Sequence, residues 1–306
     1  MKDVCVCILA YNEQKHIADT IRAVSTGNGD AAFDIIVYAN GCTDNTADVV
    51  RALCATIPNL RLRELAKASK PNAWNTAFAE NDTPFLFFSD GDVRPEPGSV
   101  VVLRRCFEEH PHISLVCSQF WPHTRGLSIQ RRLTGFLQIP LAQDFLTGQF
   151  YAVRRSYMKA RLADLCLQGV PEGIVGEDAF LGLLFPGDMF LVAREKVFYE
   201  PPTVADYWKY LARMRWQGEQ LTEFYGNLLA ERGHGSNGSS RARLAAKLAA
   251  GQGLPRTLLG LLAAASRTVV KSLFKAKIDK CYRGLGSVCR EGNTILSHST
   301  RSESAK

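Results

Sequence analysis

No stretch of this chain reaches the roughly 18 to 20 uninterrupted apolar residues needed to cross a bilayer, which argues against a membrane-spanning helix. No CxxC pair occurs among the nine cysteines, which stand at 5, 7, 42, 54, 106, 117, 166, 281 and 289. A zinc knot or a disulfide framework is therefore not expected, and reduced thiols in a cytoplasmic setting are. The first apolar run begins within three residues of Met1, too early for a charged segment followed by a hydrophobic one, so no signal peptide is expected. No glycine-rich loop bearing Arg and Lys follows that run. Its sequel is YNEQKHI, the wrong chemistry for cradling a triphosphate, which argues against nucleotidyl transfer. Aromatics interleaved with basic residues are scarce in the C-terminal region, so the stacking platforms of a nucleic-acid binder are missing.

What is present suits a globular protein: 306 residues, 46% of them hydrophobic, are enough for a large core. Charge is unevenly placed. Residues 232–306 hold 14 Lys or Arg against 3 Asp or Glu, whereas residues 1–231 hold 23 against 27. A basic tail on an acidic body points to an anionic surface as partner.

Apolar runs alternate with amphipathic segments through the first 120 residues. VCVCILA (4–10) is expected as a strand and EQKHIADTIRAVS (13–25) as a helix with Ile17, Ile21 and Val24 on one face. Strands then follow at 33–39, 60–65, 84–89 and 113–118, with helices at 44–54, 72–80 and 97–109 between them. That alternation predicts an α/β fold with a Rossmann-like, mostly parallel sheet flanked by helices. Beyond 120 the rhythm weakens. A strand is expected at 149–153, a helix at 177–185, a strand pair at 189–193 and 197–199, and one long helix over 204–230. The organisation expected is a nucleotide-binding half (1–120), an acceptor and catalytic half (121–231), a flexible linker (232–240), a basic amphipathic helical extension (241–283) and a disordered tail (284–306). Within the extension, helices are expected over 241–250 and 254–277. In the second, Leu254, Leu258, Leu261, Leu262, Ala265, Val269 and Leu273 share one face, with Arg267, Lys271 and Lys275 on another. Such a helix lies on an anionic membrane or packs on the body of the protein.

FLFFSDGDVRP (85–95) is a buried strand ending at Asp90, Gly91 and Asp92. Two carboxylates at the carboxyl end of a strand, with a glycine that lets a ligand approach, read either as a turn or as a site for a hard divalent cation. Glu177 and Asp178 open an apolar helix, where acidic residues either complement the helix dipole or serve as a base. His110, His112 and His123 lie in loop-like settings and are expected to be solvated rather than to form a metal cluster.

Six segments in order, ILAYNEQKHI (8–17), ANGCTDNT (39–46), KPNAWN (70–75), Asp90-Gly91-Asp92, Gly148 with Arg154 and Arg155, and GED (176–178), together resemble glycosyltransferase family 2. The resemblance implies inverting enzymes of GT-A fold. It places Ala10, Tyr11, Asn12, Glu13, Asn40 and Lys70 around a nucleotide-diphosphate sugar, UDP-linked, with Gly91 between Asp90 and Asp92 as holders of Mn²⁺ or Mg²⁺. It makes Asp178 the base beside Glu177, acting on the hydroxyl of a lipid-linked or polysaccharide intermediate of the cell envelope, at the cytoplasmic face of the membrane. Arg215, in LARMRWQGEQ, matches part of the family's QxxRW signature and is expected to contact the diphosphate or the acceptor. Two departures stand out: Ala39 replaces an Asp expected to read the base, and Ala212 replaces the signature's Gln, which fits an enzyme adding one sugar at a time. The alternative is a non-catalytic nucleotide-sugar-binding or membrane-associated scaffold protein.

Overall fold

The computed structural model describes residues 3–28, 33–139, 143, 145–234 and 254–284. Eight strands form one sheet: β1 (Val4–Ala10), β2 (Asp34–Asn40), β3 (Leu60–Leu65), β4 (Phe85–Asp90), β5 (Val93–Pro95), β6 (Leu115–Pro122), β7 (Phe150–Arg154) and β8 (Phe190–Tyr199), in the order β3-β2-β1-β4-β7-β6-β8-β5. β3, β2, β1 and β4 run parallel, joined by α1 (Ile17–Ser25), α2 (Thr46–Cys54) and α3 (Lys70–Glu80). β7 is antiparallel to both β4 and β6, so the second half of the sheet is mixed.

The central strand explains the layering. All seven residues of β1 are buried, because helices cover both faces of the sheet. Cys5, Cys7 and Leu9 face one core, with Trp74, Phe88 and Tyr151; Val6, Ile8 and Ala10 face the other, with Ile17, Ile21 and Phe87. The cysteines thus act as small apolar fillers. α4 (Ser99–Glu109) covers the second core, while α6 (Arg155–Asp164) and α7 (Glu177–Leu183) cover the first.

Several elements differ from the expectation. The segments 189–193 and 197–199 do not pair with each other; they are one strand, β8, parallel to β6 with a register shift between Cys117 and Gln119. β5, α5 (Ile129–Gln138) and α6 lack a sequence pattern strong enough to have announced them. α8 (Val204–His234) runs four residues beyond the expected helix and is broken at Tyr225 (φ −134, ψ 30). The helix expected over 254–277 is two, α9 (Leu254–Leu273) and α10 (Lys275–Gly284). Most of the expected linker, the helix over 241–250 and nearly all of the tail from 284 lie outside the described residues.

α9 and α10 pack on the body. A third apolar cluster joins Leu137 of α5, Tyr207, Trp208 and Leu211 of α8, and Ile278 of α10, with Val270 of α9 against it. The face of α9 turned inward carries Ala263 and Val270, whereas Leu262, Val269 and Leu273 are exposed.

Candidate active site

β1 and β4 end side by side, Leu9 opposite Asp90, at the edge of the parallel half where open α/β sheets bind ligands. A Cβ on Gly91 would lie 3.0 Å from the Ala10 Cβ and 3.1 Å from the Glu13 Cγ, so two small residues are what let the two strand ends close up. The YNE loop is pinned to the second loop by hydrogen bonds, one of them from Gln14 N–H to the Asp44 carboxylate (3.1 Å). Asn12, in the left-handed region at φ 56, accepts on Oδ1 from the backbone N–H of Thr43 (2.8 Å), and Glu13 N–H donates to Thr46 Oγ1 (2.7 Å). Asn40 is buried and accepts from Ser69 N–H (2.9 Å), which places the start of α3. Asn12 and Asn40, expected beside the nucleotide, have their side chains committed to the frame. Tyr11, by contrast, is 52% exposed at the mouth. Ala39 is buried beneath the same edge.

α3 delivers Lys70. Its N-terminus is capped by Ser69, whose hydroxyl accepts from Asn72 N–H, and Pro71 suits the first turn. Trp74, fully buried, stacks on Phe88 (5.1 Å between ring centroids) and donates to Tyr151 Oη (2.9 Å), so the helix is held firmly. Lys70 Nζ bridges Asp90 Oδ1 and Glu177 Oε1, each at 2.6 Å. Burial pulls the ammonium down, but Asp90, Glu177 and Asp178 more than reverse this and hold it well above its ordinary value. Glu177, buried at the start of α7, is tied to this lysine.

Asp178 sits one residue further. Its Oδ2 accepts from Gly148 N–H (3.0 Å) and its Oδ1 from Ala179 N–H (2.9 Å). A Cβ on Gly148 would lie 3.1 Å from the Asp178 Cβ, so glycine is needed for that approach. Gly176, in the left-handed region at φ 79, admits Gln217 of α8 where a Cβ would collide at 2.3 Å. Burial and the neighbouring Glu177 raise the Asp178 carboxyl against the opposing pull of Lys70 and the two N–H donors.

Acidic groups crowd the strand edge. Burial, then repulsion from Asp92, Asp90 and Asp44, pushes Glu13 up to about 8. Burial, with Asp92 and Glu177 and against Lys70, pushes Asp90 up to about 7. Asp92 is exposed and makes no hydrogen bond or ion pair with the described residues. No group of three or more His, Cys, Asp or Glu side chains suited to a metal occurs among the described residues. His110 and His112 are exposed.

A cavity of about 840 Å³ is lined by Lys70, Asp90, Glu177 and Asp178, by the rings of Phe120, Phe145, Tyr199 and Tyr210, and by Arg213, Arg267 and Lys271. Arg215 does not line it. That side chain pairs with Glu219 (3.0 Å) and Asp279 (2.9 Å) and lies over the Tyr282 ring (4.4 Å), docking α10 onto α8. Tyr11, Asn12, Glu13 and Asp92 belong to the outer edge rather than to this cavity. The sequence expectation had missed Tyr210, Gln217 and Arg267 as wall residues; only the four-residue spacing of Arg267 and Lys271 hinted at a shared role.

The family model described as glycosyl transferase family 2 matches residues 5–161. No curated protein matches the chain in sequence. Among solved structures, a mannosyltransferase from Pyrobaculum calidifontis in complex with GDP-Man and Mn²⁺ is similar with a TM-score of 0.56 at 18% identity, covering 89% of this chain and 87% of that one. S. aureus TarS 1-349 in complex with UDP-GlcNAc gives 0.52 at 16% identity, covering 95% and 92%. Glucosyl-3-phosphoglycerate synthase from Mycobacterium tuberculosis, with Mn²⁺, UDP-Glc and phosphoglyceric acid, gives 0.51 at 20%, covering 72% and 79%. At these identities the structural likeness concerns the fold, which is GT-A.

Proposed function

This chain belongs to glycosyl transferase family 2, and from that premise we propose that it moves a sugar, with inversion, from a nucleotide-diphosphate sugar, UDP-linked, to a hydroxyl acceptor. The observation that carries this is one cavity holding both Asp90, at the end of β4, and Asp178, with Lys70 between their surroundings. In the displacement, the acceptor oxygen forms a bond to the anomeric carbon as the bond from that carbon to the diphosphate oxygen breaks. The nucleoside diphosphate leaves with the electron pair, and the acceptor proton passes to an Asp178 oxygen. A carboxyl raised by burial is a stronger base than one in water, which suits that step.

The donor set fits a hard divalent cation. Asp92 has no side-chain hydrogen-bond or ion-pair partner among the described residues, Asp90 lies two positions before it, and burial first, then repulsion from Asp92, raises both Glu13 and Asp90. Two carboxylates with open positions are what Mn²⁺ or Mg²⁺ takes when substrate phosphates complete its shell. Bound there, the cation offsets charge on the departing diphosphate.

The acceptor proposed is a lipid-linked or polysaccharide intermediate of the envelope, with the protein peripheral on the cytoplasmic face of the membrane. Supporting this, Leu262, Val269 and Leu273 of α9 and Ile129 and Leu133 of α5 are exposed on two helices that pack together. Among the described residues no helix is long and apolar enough to cross a membrane. Turnover of UDP-, GDP- and dTDP-sugars with Mn²⁺ tests the donor: activity on one, lost in Asp92→Ala and Asp178→Asn, is expected. A chain that neither turns over nor is stabilised by any of them would return it to the scaffold class.

A further inference from the structure

Resting on that transferase reading, we infer that the acceptor carries a phosphate ester, seated by Arg213, Arg267 and Lys271 at the end of the cavity formed by α8 and α9. The carboxylates lining the cavity, Asp90, Glu177 and Asp178, come from β4 and α7, and two of them are bridged by Lys70. The three other cations lining it come from the helices.

Arg213 and Lys271 are exposed and make no hydrogen bond or ion pair with another residue in the described structure. Their neighbours behave differently: Lys209 pairs with Asp206 at 3.0 Å, and Arg215 with Glu219 and Asp279. On α8, the cation at the cavity is thus left open while the two on its other faces are neutralised. Arg267 is fixed from one side, donating from Nη1 to the carbonyls of Leu137 (2.8 Å) and Ile139 (2.6 Å) at the end of α5. Lys271 follows one turn later on the same face.

These groups lie close to the chemistry. Gln217 packs against Gly176, immediately before Glu177 and Asp178, and Arg213 is one turn before Gln217 on α8. Tyr210 lines the same cavity as Asp178, Arg213 and Arg267, and its hydroxyl feels all three. An acceptor with its hydroxyl at Asp178 and its anion a short distance away fits this order. Two guanidinium groups and an ammonium favour phosphate, which offers several oxygens to planar forks and carries up to two charges. The donor diphosphate belongs with Asp90 and Asp92, on the strand edge. Leu137, Leu211 and Met214 beside the cations give the neighbouring wall an apolar character.

The test is calorimetric titration of the full chain in EDTA, without nucleotide, using geranyl phosphate, methyl phosphate and geraniol. Arg267 is left intact because it holds α5; the variant is Arg213→Gln with Lys271→Gln, two exposed positions whose loss does not threaten folding. Expected are binding of geranyl phosphate at least tenfold tighter than geraniol, a loss of tenfold or more in the double variant, and wild-type affinity in Asp92→Ala. A preference for geranyl over methyl phosphate assigns the phosphate to a lipid, and equal affinities assign it to a soluble ester. The subsite is overturned if the double variant binds like wild type, if geraniol binds as well as its phosphate, or if Asp92→Ala loses as much as the double variant. Donor binding is followed separately by melting with UDP-sugar and Mn²⁺, so its failure is not confused with failure of the phosphate arm.

Discussion

The two ends of the catalytic cleft are built differently. At the β1–β2 end, loops are pinned by hydrogen bonds between adjacent connections, Asn12 to Thr43, Glu13 to Thr46 and Gln14 to Asp44, on a parallel sheet whose strand β1 is buried on both faces. At the other end, α7, α8 and α9 are held by contacts between distant parts of the chain: Lys70 of α3 to Glu177 of α7, Phe180 of α7 against Tyr225 of α8, and Arg267 of α9 to the end of α5. The difference teaches that the β1–β2 end, the proposed donor side, is built by neighbouring connections, while the other, the proposed acceptor side, exists only once segments far apart in the chain have docked.

The sharpest break between the two is Asp178→Asn. The amide oxygen still accepts from Gly148 N–H and only the bond from Ala179 N–H is given up, so most of the frame survives while the proposed base is lost. Transfer should fall by about 10²- to 10⁴-fold, the range for removing a general base, with melting temperature unchanged within a degree or two. Single-turnover assays with donor in excess would decide it; a fall confined to KM would mean that Asp178 only positions the acceptor.

Lys70 joins the two ends, since it stands on α3 and holds Asp90 of β4 and Glu177 of α7. Lys70→Met strips two carboxylates, Asp90 and Glu177, of their partner, and because the lysine is partly exposed the loss should be below that of a fully buried pair, about 2 kcal/mol. Adding Glu177→Gln should recover the part due to Glu177, with Asp90 still unpaired. Denaturant unfolding of the singles and the double gives the coupling; additive losses would show that the bridge does not connect the halves.

What was legible in the chain follows the same division. Asp90, Gly91 and Asp92 were readable because a buried run ends there and the next residues have only one edge to occupy. Lys70 was readable as a charge in a motif, but its partner Glu177 lies more than a hundred positions away and no local pattern links them. Arg215 was misplaced for a helical reason: two residues along α8 is a rotation of about 200°, so Arg213 meets the cavity while Arg215 meets α10. Without knowing which face of α8 packs inward, the two arginines are equivalent. The basic stripe of α9 was legible, but amphipathicity alone left open whether the helix meets a membrane or the body; in the structure Arg267 donates to the carbonyls at the end of α5, with Leu262, Val269 and Leu273 outside. β8 was split because its middle, Arg194 to Lys196, is polar where the strand is partly exposed.

Gly148→Ala sharpens the comparison on a finer scale. The new methyl would sit 3.1 Å from the Asp178 Cβ, tight enough to displace the carboxylate by a few tenths of an ångström. Since catalytic groups tolerate little misplacement, kcat should drop about tenfold while donor affinity, set at the other end, stays constant. Equal losses in both would mean that the two ends are not independent.

The smallest effect belongs to the donor side and appears only as a pH dependence. Glu13 is raised from 4.5 to about 8 by burial and by Asp92, Asp90 and Asp44, so in the metal-free protein the folded state holds a proton that the unfolded chain releases. The stability this contributes is complete below pH 4.5 and is lost as pH rises toward 8. Glu13→Gln removes that proton from the balance, so its melting temperature in EDTA should decline less than wild type between those values, with the two proteins closest at the acid end. Asp90, raised to about 7, leaves part of the decline in place in both. If the two curves run parallel, Glu13 is already solvated, and the crowding of carboxylates that prepares this edge for a cation does not extend beyond Asp90 and Asp92.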